Sequence, residues 1–440
     1  MSDAVRSIRE LLRDKAVFGW TMYDWANSAF ATTIMAAVLP VYYHKVAAAT
    51  LSEADAVAYW AYTAGVALVL VALLSPIMGA IADLRPRKKK FLTFFALMGM
   101  TGTALLYFVT TGDWLKASIF YIIGNVGFAA ANVFYDALLP HISRNPKEMD
   151  MISSLGYAMG YLGGGILLAI NLAMIMLAPE DMQGLMTRLA FLSVALWWLV
   201  FTIPLWKWVP EPRTVVKAQG GNPVVMGFKQ LWHTFMHLRQ FREALKFLLA
   251  FWLYTDGIGT IIKMATIYGS SIGIGQTHLI GTLLLVQFVG IPFAVLFGRL
   301  ANRIGVKRGI YLALFGYVLI SIGGYFMSKP WHFWALGLAV AMVQGGSQAL
   351  SRSLFGRLIP QSLTAEFYSF FSVSAKFAGI AGPFIFGYMT QVFQNSRLSI
   401  LAVVFFFISG ILLLIPVNVE KGMTEAQSYD AKLREGGATA

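Results

Sequence analysis

Gly79-Ala80-Ile81-Ala82-Asp83-Leu84-Arg85-Pro86-Arg87-Lys88 returns 219 positions later as Gly298-Arg299-Leu300-Ala301-Asn302-Arg303-Ile304-Gly305-Val306-Lys307. Each copy has a glycine, an Asp or Asn four residues on, and then basic residues. Gly160 and Gly163 recur at the same offset as Gly379 and Gly382, and Leu138-Leu139-Pro140 recurs within one residue of it as Leu358-Ile359-Pro360. Three anchors in one register mark an internal duplication. Repeated helical halves are a common build of secondary transporters, in which the repeats rock about a site at their interface.

Composition sets the solvent. Of 440 residues, 58% are hydrophobic and 12% charged, with a mean hydropathy of +0.66. A span of roughly 20 apolar residues crosses the hydrocarbon core. Such runs fall at 17–43, 57–82, 91–110, 115–138, 151–177, 187–209, 244–270, 277–300, 306–327, 331–353, 366–392 and 397–418. The pattern predicts an all-α membrane protein of twelve transmembrane helices in two six-helix pseudo-symmetric halves. It divides into an amphipathic N-terminal segment 1–16, a bundle 17–209, a linker 210–243, a second bundle 244–418 and a tail 419–440.

The net charge of +13 fits either nucleic acid or a membrane surface, and the placement of the basic residues decides. Arg6, Arg9, Arg13 and Lys15 precede the first span. Arg85, Arg87, Lys88, Lys89 and Lys90 follow the second; Arg299, Arg303, Lys307 and Arg308 surround the loop after the eighth. Alternate loops carry only isolated cases such as Lys45, Lys116, Arg188, Lys329 and Arg397. The positive-inside bias therefore puts both termini and the linker in the cytoplasm and gives nucleic acid no role. The basic first 16 residues lead into a run longer than a secretory h-region, so the first helix is expected to stay. With no cysteine in the chain, disulfides and thiol catalysis are excluded.

The linker opens with the breakers Pro210, Pro212, Gly220, Gly221 and Pro223. Phe228, Leu231, Trp232, Phe235, Leu238 and Leu245 then recur near helical spacing among Lys229, His233, Arg239 and Arg242, as in a helix lying in the cytoplasmic interface. The polar tail from Glu420 predicts disorder.

Gly79-x-x-Ala82-Asp83 with its basic run and its echo resembles the signature loop of the major facilitator superfamily. Trp20-Thr21-Met22-Tyr23-Asp24-Trp25-Ala26-Asn27-Ser28-Ala29-Phe30, Phe134-Tyr135-Asp136-Ala137-Leu138-Leu139-Pro140 and Tyr254-x-Asp256-Gly257 resemble, more narrowly, its vacuolar-effluxer-like branch. These are bacterial relatives of a yeast autophagy-linked amino-acid exporter. The resemblance covers nearly the whole chain. It implies a multi-pass protein of the inner (cytoplasmic) membrane, a monomer, working on a small-molecule substrate with protons and without cofactor or metal. It also implies a latch: Asp83 pairs with the basic residues of its loop, Arg87 among them, in one conformation, while Gly79 lets helices approach. Gly298, Asn302 and Arg303 repeat the motif in a weaker form, because Asn302 replaces the acid. The alternative is that these charges only fix topology.

Ionisable residues inside spans cost roughly 2.5–3.5 kcal/mol each at the helix centre, so each is a candidate for function. Asp24 lies two turns into the first span, with Asn27 on the same face. Asp256 lies mid-span in the seventh, with Lys263 two turns on. Asn125, Asn132 and Asp136 form a stripe on the fourth, Gln344, Gln348 and Arg352 on the tenth, and Lys376 lies inside the eleventh. The resemblance sends the first, fourth, seventh and tenth spans to one cavity.

The expected roles follow from charge. Asp24 or Asp256 carries the coupling proton, because a buried carboxylate gains or loses a proton as its exposure switches. Arg352 with Lys376 receives an anionic group. Asn27, Asn132, Gln287, Gln344 and Gln348 supply neutral hydrogen bonds, and Tyr23, Tyr135 and Tyr254 flank the charges. The competing structural roles are ion pairs, Asp136 with Arg144 and Asp256 with Lys263. The run from Gly156 to Gly165 and the group Gly379, Gly382 and Pro383 allow close helix contact, and Gly164 stands where the second half has Pro383.

The six scattered histidines offer neither a metal cluster nor a nucleophile with its base, so an enzyme is not expected. The expected function is proton-coupled export of small amino-acid-like or amphipathic solutes by alternating access. The alternatives are a lipid or lysolipid transporter of the same fold, favoured by apolar lateral openings between spans 2 and 11 or 5 and 8, and a non-transporting receptor.

Overall fold

A computed structural model describes residues 7–84, 88–144, 146–211 and 223–437. Among them every regular element is a helix. The first half comprises α1 (Ile8–Arg13), α2 (Lys15–Ala29), α3 (Val38–Tyr42), α4 (Glu53–Leu84), α5 (Lys88–Leu105), α6 (Trp114–Asp136), α7 (Leu139–Ile142), α8 (Pro146–Met176) and α9 (Gln183–Trp208). The second comprises α10 (Pro223–Leu238), α11 (Arg242–Ser271), α12 (Gln276–Ile304), α13 (Val306–Tyr325), α14 (Pro330–Arg357), α15 (Thr364–Ala378), α16 (Ala381–Phe393), α17 (Ser396–Leu414) and α18 (Val419–Gly437). Among the described residues ten stretches are long and apolar enough to cross a membrane. Of the other two expected spans, α12 is one continuous helix of 29 residues, and the first departs from α-geometry.

That first span widens into a π-helix at Phe30–Ala37, returns to α3, and widens again at Tyr43–Ala47. Thr32 lies within the first wide turn and Pro40 between the two. The Thr32 hydroxyl is shared between Ser28 O at 3.1 Å and Gly164 O at 3.2 Å, competing with the backbone ladder. Pro40 supplies no N–H to it. The start is conventional: Asp14 caps α2, its Oδ1 accepting from Ala16 N at 2.9 Å.

The chain forms two compact units, each discontinuous in sequence. The first holds Met1–Ala56, Leu73–Gly227 and Gly275–Leu284. Small residues bring its helices together: a Cβ on Gly102 would lie 2.6 Å from Gly124 N, and one on Gly99 2.6 Å from the Trp198 ring. The second holds Val57–Ala72, Phe228–Ile274 and Leu285–Ala440. Within it the first half of α4 packs on α11 and α16. Trp60 Nε1 donates to Lys263 O at 3.4 Å, Tyr62 OH to Gln391 Oε1 at 3.0 Å, and Gly65 leaves room for Phe384.

One expectation is refined and one corrected. The eleventh span is interrupted within its length, because α15 ends at Ala378 and α16 starts at Ala381. The tail is not disordered. Gly422, Ala426 and Tyr429 give α18 one packed face despite its polar composition: Gly422 lies against Leu358 and Glu243, and Tyr429 stacks edge-on at 5.3 Å from Phe241. Asp430 then fixes α18 to the turn before α15, accepting from Gln361 N at 2.8 Å and from Ser362 Oγ at 2.6 Å.

The basic residues after α4 and α12 do more than mark topology. Lys89 Nζ donates to Trp206 O at 3.0 Å and Val209 O at 2.6 Å, at the C-terminus of α9. Lys307 Nζ donates to Ile415 O at 2.9 Å and Val417 O at 2.7 Å, at the C-terminus of α17. Each half thus closes its last membrane helix with a lysine, a favourable place for a cation beside carbonyls that the helix leaves unbonded.

Candidate functional site

In the first unit, Asp24 of α2 is held by Tyr135 of α6. Asp24 Oδ2 accepts from Tyr135 OH at 3.0 Å. Tyr135 is itself fixed, since Trp20 stacks on it at 4.2 Å and donates Nε1 to Tyr135 O at 3.1 Å. Tyr23 is fully buried with its ring 5.0 Å from that of Tyr135. One turn along α2, Asn27 Nδ2 donates to Asn132 Oδ1 at 2.6 Å.

The glycine run of α8 makes the seat. A Cβ on Gly156 would stand 2.7 Å from Asp24 Oδ2 and from the Trp20 ring. One on Gly160 would stand 2.5 Å from Ser28 Oγ, and one on Gly163 would overlap Trp25 O. Bare glycine backbone lets α8 lie directly on the acid-bearing face of α2.

The second unit repeats the idea with other donors. Asp256, 2% exposed, has both carboxylate oxygens 2.9 Å from Gly382 N, in α16. A Cβ on Gly382 would overlap Thr260 Oγ1 and meet Asp256 Oδ1 at 2.6 Å. So the first membrane helix of each half carries a carboxylate set against a glycine of the fifth, Gly156 for Asp24 and Gly382 for Asp256; the repeat partner of Gly382 is Gly163, which packs on Trp25.

Further contacts in this unit join α11, α14 and α15. Tyr254 OH and Ser351 Oγ share a hydrogen bond of 2.6 Å. The Arg352 guanidinium lies 5.6 Å over the Tyr368 ring, whose OH donates to Arg352 O at 2.9 Å. Lys263 Nζ donates to Gly259 O at 3.3 Å and its charge also acts on Asp256. Lys376 lies eight residues beyond Tyr368 on α15, about 12 Å of helix rise. Gln287 and Gln344 are half-buried; Gln348 and Asp136 are exposed.

The latch falls mostly outside the described residues. Arg87 lies beyond them, as do the side chains of Asp83 and Asn302 and the surroundings of Gly298. Arg303 is exposed at the end of α12. A Cβ on Gly79 would meet nothing within 4 Å among the described residues.

Sequence reading missed three partners. Tyr135 as donor to Asp24 was legible only as a neighbouring aromatic. Ser351 carries no charge to draw attention. The Gly382 N–H is backbone, and its signal was the repeated glycine itself. A separate cluster joins α10 to α15: His233 Nδ1 and His237 Nδ1 lie 3.9 and 3.8 Å from the Glu366 carboxylate, and His237 Nε2 lies 3.3 Å from Tyr429 OH. Among the described residues no group of three acids or histidines is placed to hold a metal ion.

Residues 13–427 match the family described as vacuole effluxer Atg22 like. The chain is 38% identical to the MFS-type transporter YxiO of Bacillus subtilis over 93% of its own length and 96% of that protein. It is 24% identical to autophagy-related protein 22 of Coccidioides immitis, over 96% and 89% respectively. Among solved structures, a D-xylose-proton symporter superposes with a TM-score of 0.68 at 14% identity, covering 94% of this chain and 99% of that one. A bacterial homolog of the human lysosomal transporter Spinster gives 0.64 at 14%, covering 95% and 98%. An all-helical multi-pass chain with this duplication, this fold and these relatives is a membrane transporter and not an enzyme: it belongs to the vacuole effluxer Atg22-like family of the major facilitator superfamily.

Proposed function

We propose that this transporter is a proton-coupled exporter of small amino-acid-like or amphipathic solutes, acting by alternating access, with Asp24 and Asp256 as its proton-binding groups. One observation carries the reading: each half holds a carboxylate on its first membrane helix in a seat of aromatic or backbone donors and glycine. A carboxylate kept inside a span at this cost is retained for what its protonation does. Asn27, Asn132, Tyr254 and Gln344 supply neutral hydrogen-bonding groups for solute, and Arg352 and Lys376 an anion-binding capacity. The N-terminal bundle 17–209 and the C-terminal bundle 244–418 act as the moving halves, with both termini in the cytoplasm of the inner membrane. Asp83 and the basic loop act as the cytoplasmic latch.

Apolar lateral openings would favour a lipid substrate. The packing of Tyr62 and Gly65 on Gln391 and Phe384 closes spans 2 and 11 over that stretch, which supports a small polar solute instead.

The test uses purified chain in liposomes enclosing a pH-sensitive dye, challenged with mixtures of amino acids and, separately, with lysolipids. Amino-acid-dependent proton movement that is lost in the double variant Asp24→Asn/Asp256→Asn is expected. Flux that persists in the double variant would remove the coupling role, and proton movement with lysolipid alone would replace the substrate class.

A further inference from the structure

Asp256 does not merely sit near the broken eleventh span; it holds the break. α15 stops at Ala378 and α16 starts at Ala381. The cause is in the sequence. Pro383 has no N–H to give, and its ring excludes the carbonyl four residues back, at Gly379. The corresponding residue of the first half is Gly164, and α8 runs through it without interruption from Pro146 to Met176. The break therefore belongs to one half only, and leaves the free N-terminus of α16 inside the span. Its Gly382 N–H points at both oxygens of Asp256.

The seat is selective for that carboxylate. Gly382 has no space for a Cβ. The Thr260 hydroxyl is engaged by the backbone, donating to Asp256 O at 2.8 Å. Of the charged groups on the elements packed about α11, Lys263 acts electrostatically on Asp256 while its Nζ donates to Gly259 O, Arg352 lies over Tyr368, and Arg397 of α17 donates to Tyr325 O and Met327 O. Lys376 of α15 has its own partner, and α16 carries no charged residue. An ionised carboxylate is the strong form of this cap, because charge-assisted hydrogen bonds are about twice as strong as neutral ones and a helix N-terminus favours a negative charge.

We propose that Asp256 is a proton-released clamp on α16: ionised, it anchors the half-helix through Gly382, and protonated, it lets α16 pivot at Gly379-Ile380. The clamp rests on the reading of Asp256 as a proton-binding group and gives that proton a mechanical consequence. The proton adds to a carboxylate oxygen and leaves by the same atom, so no other reactant is needed.

The absence of native cysteine permits a direct test. Spin labels at Leu249→Cys on α11 and Tyr388→Cys on α16, both exposed positions, report the distance between the two helices in the full chain, in lipid nanodiscs without substrate. One distance is expected at about pH 8, and a second population at about pH 5, their ratio changing by roughly tenfold or more. Asp256→Asn is expected to show the acid distribution at both values. Identical distributions at both values in the parent, or a pH response that survives Asp256→Asn, would overturn the clamp.

If Asp256→Asn abolishes proton flux while the parent distances ignore pH, coupling stands and the clamp falls. If the distances respond as expected while flux in Asp256→Asn is normal, the clamp stands and coupling through Asp256 falls. Should Asp256→Asn not fold, Asp256→Glu keeps a titrating group; the clamp requires its response to persist with a displaced midpoint, and an unmoved midpoint would overturn it.

Discussion

Gly156, Gly163 and Gly184 look alike in the sequence and differ in what surrounds them. A Cβ on Gly156 meets the side-chain ends of Asp24 and Trp20, one on Gly163 meets the backbone carbonyl of Trp25, and one on Gly184 meets nothing within 4 Å. Overpacking costs about 1–3 kcal/mol, and a backbone oxygen yields less than a side chain. Gly163→Ala is therefore expected to lower the melting temperature most and Gly156→Ala less. Gly184→Ala, on a helix, is expected to raise stability by up to about 1 kcal/mol. Melting curves of the three variants in detergent check the order; equal effects would mean that the glycines of α8 are not a seat. That Asp24 and Asp256 matter was legible, since a charge inside an apolar run is too costly to keep for packing alone. Their partners were not, because Tyr135 and the Gly382 N–H come from residues over a hundred positions away.

At the scale of elements, the loop after the second helix of each half has a role beyond charge. Lys89→Met and Lys307→Met each remove two bonds to terminal helix carbonyls. Each is expected to cost about 0.5–2 kcal/mol, and the double variant their sum, because the sites belong to different compact units. Thermal melts test this, and a non-additive pair would deny the independence. The tail gives a second case. Asp430→Ala leaves Gln361 N and Ser362 N without their acceptor, an end-capping loss of roughly 1 kcal/mol; hydrogen exchange at 361–363 is expected to accelerate, with no change around Asp24. The tail's polarity concealed its helix because only Gly422, Ala426 and Tyr429 need to pack. The break in the eleventh span, by contrast, was written in Pro383.

For the whole molecule, the placement of Lys and Arg predicts orientation. In spheroplasts, a membrane-impermeant maleimide is expected to label Lys116→Cys but to reach Lys432→Cys only after permeabilisation. Labelling of Lys432→Cys from outside with Lys116→Cys protected would reverse the positive-inside assignment. The duplicated, lipid-embedded, twelve-span chain follows from sequence alone, because hydrophobic run length and a repeat offset are local, additive properties that no packing detail can cancel. The seats of Asp24 and Asp256, the lysine caps, the docked tail and the grouping of the first half of α4 with α11 and α16 needed the tertiary structure. Each depends on which backbones approach closely enough to touch, and that distance is set by side chains from several helices at once.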